Sequence, residues 1–173
     1  MLVYLALIES DEDKDKFQQL YTQYKRLMLK VAYRFFKSPD DAEDVVHDAC
    51  IAIIENLDKV TDVNSKQTRN YIVIITKHIA INRYNRMHRF TLTEYDDAIH
   101  GDEIPAPGDG GLADALAALP AEYRDVIMLK YYNGYSAAEI ARMLDTTPGA
   151  VKTRLWRARK ALEEAMGEEA VKE

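Results

Sequence analysis

Several residue types are scarce in this chain, and each shortage excludes a class of protein. The 173 residues include one cysteine, Cys50, which excludes an internal disulfide framework and is typical of a reducing compartment. The apolar run at residues 1–8 is too short for a membrane span, and it lacks the basic flank and cleavage site of a signal peptide. We therefore expect a cytoplasmic protein.

Sequence motifs for catalysis and for cofactor binding are also missing. There is no glycine-rich phosphate loop, no nucleophile elbow and no zinc-protease helix. His47 and Cys50 lie one helical turn apart near Asp44, but no second pair of ligands accompanies them. Packing of Cys50 in a core is therefore favoured over a metal site. The sequence predicts a protein that is not an enzyme and that has no metal or other cofactor.

The overall charge is negative, at −6, with 47% hydrophobic and 30% charged residues. This composition is typical of a soluble globular protein, and the chain length suits two small domains. A net negative charge argues against a protein that coats nucleic acid indiscriminately, because such binding depends on a broad positive field. Any nucleic-acid binding must therefore come from local basic surfaces.

The first predicted domain, residues 10–90, begins with two helices marked by capping residues. Ser10, with an acidic residue three positions later, predicts the start of a long helix that ends near Lys37. Ser38 followed by Pro39 predicts the start of the second helix. The apolar residues at core-like spacing are Phe17, Leu20, Tyr21, Tyr24, Leu27, Met28, Val31 and Phe35, then Ala42, Val45, Val46, Ala49, Ile53 and Leu57.

A third helix is predicted over residues 70–88, after a polar loop at residues 58–69. Its core-like positions are Tyr71, Ile72, Ile75, Ile79 and Asn82. Beyond it the helical periodicity disappears, and residues 91–111 combine prolines, glycines and acids. This composition predicts a flexible acidic linker.

The second predicted domain, residues 112–166, contains four helices, and its last two have the pattern of a helix-turn-helix. Gly134 predicts the end of a helix, and Ser136 with Glu139 predicts a capping box at the start of the next one. Pro148 marks the start of the final helix. The apolar residues of the two helices are Ile140, Ala141, Leu144, Val151, Leu155, Ala158 and Leu162.

The final helix reverses the sign of the chain's overall charge. Its cations, uninterrupted by any acid, are Lys152, Arg154, Arg157, Arg159 and Lys160. If the helix enters a DNA major groove, then Lys152, Thr153 and Arg157 are placed to reach base edges or phosphates. A basic helix that is merely a solvated face is the alternative. Trp156 lies on the same side, where it either packs on a sugar or thymine methyl group or closes the small core.

A second basic surface is predicted at the end of the third helix. Its cations are Lys77, Arg83, Arg86 and Arg89, interleaved with the planar side chains His78, Tyr84, His88 and Phe90. Cations that hold a backbone beside rings that stack suit a nucleic acid with partly exposed bases. A solvated helix end that is stabilised by the helix dipole is the alternative.

The second helix begins with an acidic face. Its first residues include Asp40, Asp41, Glu43 and Asp44. Acids favour a helix start, but Asp44, His47 and Asp48 also lie at i, i+3 and i+4 and so share one face. This polar patch predicts a docking site for a basic protein surface.

Taken in order, these motifs resemble the extracytoplasmic-function group of bacterial sigma factors, in the sigma-70 family. The segments that carry the resemblance are AEDVVHDACIAII, RNYIVIITKHIAINRYNRMHR, the acidic linker and SAAEIARMLDTTPGAVKTRLWRARKAL. The resemblance implies an all-α protein in which residues 10–90 form sigma region 2 and residues 112–166 form sigma region 4. It also implies an alternative sigma factor that binds core RNA polymerase, melts the minus-ten promoter element and reads the minus-thirty-five element.

The resemblance assigns roles to individual residues. Those implied to face the polymerase β′ coiled coil are Asp41, Asp44, His47 and Asp48. Those implied to bind the minus-ten element, with one base flipped from the non-template strand, are Asn64, Lys66, Lys77, His78, Asn82, Arg83 and Arg86. Those implied to read the minus-thirty-five element are Thr147, Lys152, Thr153, Arg154, Trp156 and Arg157. Further implied partners are the β flap of the polymerase and an anti-sigma factor.

The chain departs from the family pattern at two of these positions and in one loop. The family commonly has glutamine at the position of His47 and asparagine at the position of His78. The loop VTDVNSKQTRN lacks an aromatic residue often found there, which leaves the identity of the flipped base open.

Two other functions explain part of the sequence. A stand-alone helix-turn-helix regulator accounts for the C-terminal motif but leaves the acidic helix and the second basic surface unused. A helical protein-interaction module whose basic patches meet acidic partners is the second alternative, and alanine substitution at Arg157 distinguishes it from a DNA-reading protein.

Overall fold

The structure, a computed structural model, describes residues 1–88 and 111–170, the last three of these by their backbone alone. Every regular element within those residues is a helix, which confirms the predicted all-α fold. The chain divides into two compact units, Met1–Leu92 and Thr93–Glu173. Residues 91–110 of the predicted linker, together with Arg89 and Phe90, lie outside the described residues.

The first unit is a bundle of three long helices with a short helix at its N-terminus. The helices are α1 (Leu2–Leu5), α2 (Asp11–Ala32), α3 (Pro39–Ile54) and α4 (Lys66–His88), with a 3₁₀ turn at Leu57–Lys59. Helices α2, α3 and α4 pack against one another, and α1 packs on α3. Buried apolar side chains from all three long helices, such as Phe17, Ile53 and Ile75, form the core.

The predicted starts of α2 and α3 are confirmed by their caps. The Ser10 hydroxyl accepts a hydrogen bond from the Asp13 amide at 3.3 Å, and the Ser38 hydroxyl accepts one from the Asp41 amide at 3.5 Å. The end of α2 was predicted too late, because the helix stops at Ala32 rather than near Lys37. Tight turns follow Ala32, and they bring Phe36 into the core, where it is 4% exposed.

Helix α4 begins at Lys66, four residues before its predicted start. The Ser65 hydroxyl accepts a hydrogen bond from the Thr68 amide at 3.1 Å, which caps the first turn. The segment predicted as a polar loop therefore contains helical turns at both of its ends. Leu57, Val60 and Val63 are buried and anchor it to the bundle.

The middle of α4 is buried on all sides. Its consecutive buried residues are Asn70, Tyr71, Ile72, Val73, Ile74, Ile75, Thr76, Lys77 and His78. A helix that is buried all round has no single apolar stripe. For that reason, the core-like spacing in the sequence predicted only some of the residues that are buried in α4.

The second unit is organised around its C-terminal helix. Its helices are α5 (Gly111–Ala118), α6 (Ala121–Ile127), α7 (Ala137–Met143) and α8 (Pro148–Ala170), and α8 packs against the other three. The helix predicted to end at Gly134 changes from an α-helix, Ala121–Ile127, to a π-helical segment, Met128–Tyr132.

Capping contacts define the helix-turn-helix. Ser136 and Glu139 form the predicted capping box. The Ser136 hydroxyl accepts a hydrogen bond from the Glu139 amide at 3.2 Å, and the Glu139 carboxylate accepts one from the Ser136 amide at 2.7 Å. The turn after α7 places Asp145 at φ 50, in the left-handed region. The Thr147 hydroxyl then accepts from the Ala150 amide at 3.2 Å and caps α8.

Among the helices that the structure describes, none combines the length and the apolar character needed to cross a membrane. The same residues contain no group of three or more His, Cys, Asp or Glu side chains arranged to hold a metal ion. Cys50 is fully buried, and its burial raises the pKa of the thiol to about 11.

Gly134 provides a test of the turn before the helix-turn-helix. Its φ of +80 is unfavourable for residues with a Cβ, so we expect Gly134→Ala to lower the free energy of unfolding of the second unit. The expected loss is about 1 kcal/mol. Gly149→Ala is the control, because Gly149 lies within α8 and a Cβ there has its nearest neighbour at 4.0 Å. Urea unfolding of both variants measures the difference, and equal stability of the two would contradict the prediction.

Candidate nucleic-acid interface and acidic docking face

The exposed face of α8 carries most of the residues predicted to contact DNA. Val151, Leu155 and Ala158 are buried against the rest of the second unit. The predicted DNA contacts that are exposed on this helix are Lys152, Thr153, Trp156 and Arg157, and Thr147 is exposed just before it. The helix therefore separates an apolar inner side from an outer side with cationic, hydroxyl and indole groups.

Two cations of α8 are bound within the second unit. Arg154 is half-buried, and its Nε lies 3.8 Å from a carboxylate oxygen of Glu122 on α6. Arg154 thus has a partner on α6 that the sequence did not indicate, and its predicted contact with DNA stays a prediction. Arg159 donates a hydrogen bond to the Tyr131 hydroxyl at 3.2 Å, while its own side chain stays exposed.

Trp156 is 57% exposed, so the alternative in which it closes the small core is wrong. The ammonium group of Lys160 lies 5.9 Å from the centre of the indole ring. The two side chains, together with Arg159 and Glu163, line an open depression on the surface. An indole that stays in solvent keeps a face and an edge available for a ligand.

The acidic face of α3 is partly neutralised by Arg83 of α4. The Arg83 guanidinium donates a hydrogen bond to the Asp44 carboxylate. It also lies 3.8 Å from a carboxylate oxygen of Asp41 and 3.9 Å from one of Asp48. Three acids predicted to bind polymerase therefore share one cation, although Asp44 keeps 59% and Asp48 keeps 42% of its side chain exposed.

This contact gives Arg83 partners that the sequence did not indicate, and its predicted role in DNA binding stays a prediction. The sequence placed Arg83 in the basic surface for DNA and placed Asp44 in the acidic surface for a protein partner. The structure joins the two surfaces, because α3 and α4 pack side by side and bring together two side chains that lie 39 positions apart. Arg83 is 25% exposed and is held by carboxylates.

The rest of the basic surface of α4 is smaller than predicted. His78 is 0% exposed and Lys77 is 6% exposed, so the structure contradicts direct DNA contact by either side chain. Both lie within the stretch of α4 that is buried all round. Asn82 is half-buried and Arg86 is exposed near the end of the helix.

The segment before α4 presents the remaining predicted minus-ten residues, Asn64 and Lys66, both exposed. The backbone carbonyl of Asp62 accepts hydrogen bonds from the hydroxyls of Ser65 at 2.9 Å and Thr68 at 2.7 Å. The Asp62 carboxylate accepts from the Asn64 amide at 2.8 Å. These contacts give the loop a defined shape, with Asn64 at its surface.

His47 is exposed on α3, as its predicted role requires, but it has a partner that the sequence did not indicate. The Tyr4 hydroxyl lies 2.9 Å from Nδ1 of His47. Tyr4 is 8% exposed and packs on Phe17 of α2, with ring centres 5.6 Å apart. Sequence periodicity held no signal for this contact, because it joins a four-residue helix to a residue 43 positions later.

Exposure of Trp156 leads to a stability prediction. Because its side chain contacts little of the core, we expect Trp156→Ala to change the free energy of unfolding by less than about 0.5 kcal/mol. Leu155→Ala is the control, since Leu155 is 6% exposed and its truncation should cost about 2–5 kcal/mol. Urea unfolding measures both, and a loss for Trp156→Ala as large as the loss for Leu155→Ala would contradict the exposed position.

Comparison with known proteins places both units in one family. The family described as "Sigma-70 region 2" matches residues 20–90, and the family described as "Sigma-70, region 4" matches residues 110–162. The first match spans α3 and α4, and the second spans the helix-turn-helix.

Individual proteins match most of the chain. It is 32% identical over 151 residues to the ECF RNA polymerase sigma factor SigL of Mycobacterium tuberculosis, covering 83% of this chain and 84% of that protein. It is 28% identical over 167 residues to the ECF RNA polymerase sigma factor SigW of Bacillus subtilis, covering 87% and 88%. Among solved structures, it is similar to the sigma factor RpoE of Bartonella quintana in a complex with the anti-sigma factor NepR. That match has 22% identity, covers 87% of this chain and 96% of that one, and has a TM-score of 0.38.

The two matched regions occur in the order of the acidic helix and the helix-turn-helix described above. The match to SigL covers most of both chains. The chain therefore belongs to the extracytoplasmic-function sigma factors of the sigma-70 family, alternative sigma factors that direct promoter-specific transcription initiation.

Proposed function

We propose that this sigma factor binds core RNA polymerase through the acidic face of α3 and reads the two promoter elements with separate units. In this proposal, residues 10–90 form the region 2 domain, residues 91–111 the linker and residues 112–166 the region 4 domain. The observation that carries the proposal is the outer face of α8, where Lys152, Thr153, Trp156 and Arg157 are all exposed.

For the minus-thirty-five element, α8 enters the major groove with its first turns. Lys152 and Arg157 supply cations that can bind guanine edges or phosphates, and Thr153 offers a hydroxyl. Trp156 is exposed beside them and is placed to pack on a sugar or a thymine methyl group. The Thr147 hydroxyl caps α8. Thr147 therefore contributes to DNA binding by fixing the backbone at the start of the helix that enters the groove.

For the minus-ten element, the ordered loop before α4 is the centre of the proposed contact. Asn64 and Lys66 are exposed there, and Asn82 and Arg86 extend the surface along α4. Unstacking one base costs a few kcal/mol. A loop whose shape is already defined by hydrogen bonds loses little conformational freedom when it captures that base, which reduces the cost of melting.

For the polymerase, Asp44 and Asp48 offer exposed carboxylates, and His47 lies between them. We propose that a basic surface of the β′ coiled coil pairs with these acids and that region 4 contacts the β flap. Sigma factors are DNA-recognition subunits and not enzymes. Consistent with that role, we propose that this chain works without a cofactor, in the cytoplasm, under the control of an anti-sigma factor.

Transcription by purified bacterial core RNA polymerase on genomic DNA of the source organism tests the proposal. New start sites that appear only with the protein, and that share two upstream elements, are the expected result. Absence of new start sites and of core binding would reject the polymerase role and favour a stand-alone regulator. Core binding without new start sites would limit the function to protein interaction.

Arg157 and Arg154 make a matched pair for the reading of DNA. We expect Arg157→Ala to reduce the preference for promoter over random DNA by about 1–3 kcal/mol, because an exposed guanidinium is lost from the groove face. Arg154→Ala should leave this preference nearly unchanged, since Arg154 pairs with Glu122. Fluorescence anisotropy with the two DNAs measures the preference. Equal losses on promoter and random DNA for Arg157→Ala would identify it as a phosphate contact instead.

Arg83 and Arg86 make a matched pair for the acidic face. Arg83→Gln removes the cation that neutralises Asp41, Asp44 and Asp48, so we expect core polymerase to bind the variant about two- to fivefold more tightly at low salt. Arg86→Gln, which removes an exposed cation from the same helix, should not change the affinity. Titration of labelled protein with core polymerase at two salt concentrations measures the effect. Weaker binding of Arg83→Gln would instead show that Arg83 holds the acids in the binding geometry.

A further inference from the structure

Helix α1 lies directly beside the proposed polymerase-binding face. It packs on α3, where the rings of Tyr4 and His47 have centres 5.3 Å apart and the Tyr4 hydroxyl reaches Nδ1 of His47 at 2.9 Å. Tyr4 is held from the other side by α2, through ring contacts with Phe17 and with Tyr21 at 5.6 Å and 5.8 Å. A buried and well-packed tyrosine therefore fixes one edge of an exposed imidazole.

This contact determines which edge of the His47 ring faces the protein. The Tyr4 hydroxyl occupies the Nδ1 edge at 2.9 Å, and burial raises the pKa of Tyr4 to about 12, so the phenol keeps its proton at neutral pH. Because Nδ1 and Nε2 lie on different edges of the ring, the Nε2 edge is left for a partner.

The outer side of the N-terminal segment is unusually apolar for a protein surface. Large apolar residues that are exposed within residues 1–7 are Met1 at 38%, Leu2 at 84%, Val3 at 69% and Leu7 at 57%. Single exposed apolar residues are ordinary, but several together beside a charged face are typical of a protein-binding surface. The apolar side chains adjoin His47 through Tyr4, and His47 adjoins Asp44 and Asp48.

We propose that α1 extends the polymerase-binding face of α3, with Tyr4 as a positioning residue that presents the Nε2 edge of His47 to core RNA polymerase. This inference rests on the proposed function, and its occupant is the same polymerase surface. That surface places basic groups opposite Asp44 and Asp48, a hydrogen-bonding group opposite His47, and an apolar strip opposite Leu2 and Val3. Leu2 and Val3 directly precede Tyr4, Tyr4 contacts His47, and His47 lies one helical turn from Asp44, which supports one partner for all three.

Tyr4→Phe tests the positioning role in the full-length chain. The variant keeps the ring that packs on Phe17 and loses only the hydroxyl, so we expect the Kd for purified core polymerase to rise about three- to tenfold. Tyr33→Phe is the control, because Tyr33 is 45% exposed at the end of α2 and undergoes the same chemical change. An unchanged Kd for Tyr4→Phe would overturn the positioning role.

A double-mutant cycle separates positioning from packing. Glutamine has no ring edge for Tyr4 to hold in place, so Tyr4→Phe should have no further effect in a His47→Gln chain. A rise in Kd that is the same in both backgrounds would overturn the inference, since Tyr4 would then act only through the fold. Thermal unfolding of all four proteins checks that each remains folded at the assay temperature.

The apolar part of the surface has a separate test. We expect Leu2→Ser combined with Val3→Ser to weaken core binding, and Leu112→Ser in the second unit, which is 46% exposed, to leave it unchanged. The same surface could instead join two copies of this chain, which size-exclusion chromatography would detect as a homodimer. If the paired substitutions dissociate that homodimer and leave core binding unchanged, the surface serves self-association and its role in polymerase binding is overturned. Absence of core binding by the unmodified chain would reject the proposed function itself, and this inference with it.

Discussion

The complete burial of the middle of α4 is the constraint on which the first unit depends. A helix that is buried all round needs neighbours on every side, and α2 and α3 supply them. Polar function is then restricted to the two ends of α4. The N-terminal end holds the ordered loop with Asn64, and the C-terminal end holds Asn82 and Arg86. The proposed DNA contacts therefore lie where the packing of α4 ceases.

The packing of α3 against α4 also brings charged side chains of the first unit together. Because α3 and α4 lie side by side, the acids of one helix and a cation of the other meet at their exposed edge. An exposed ion pair contributes little to stability, about 0–1 kcal/mol. Its larger effect is on recognition, since the strength of the acidic face toward a basic partner depends on how much of it Arg83 already neutralises.

Local features of the fold could be predicted from the sequence, whereas contacts between distant segments could not. The caps at Ser10, Ser38 and Ser136 were predictable, because a cap and its amide lie three residues apart. The exposed row on α8 followed from helical periodicity in the same way. The burial of His78 was missed because α4 has no single apolar stripe. The Arg83 and Tyr4 contacts join residues about 40 positions apart and depend on how the helices pack.

The burial of Cys50 next to the Tyr4 side chain gives the protein an intrinsic reporter. It is the one thiol in the chain, it is fully buried, and the same tyrosine that contacts His47 contributes to the pKa of this thiol. A buried and protonated thiol is unreactive toward alkylating reagents and oxidants, because the thiolate is the reacting species. Modification of Cys50 therefore requires local opening of the first unit. The alkylation rate of the natural sequence measures how often that opening occurs, without an engineered label.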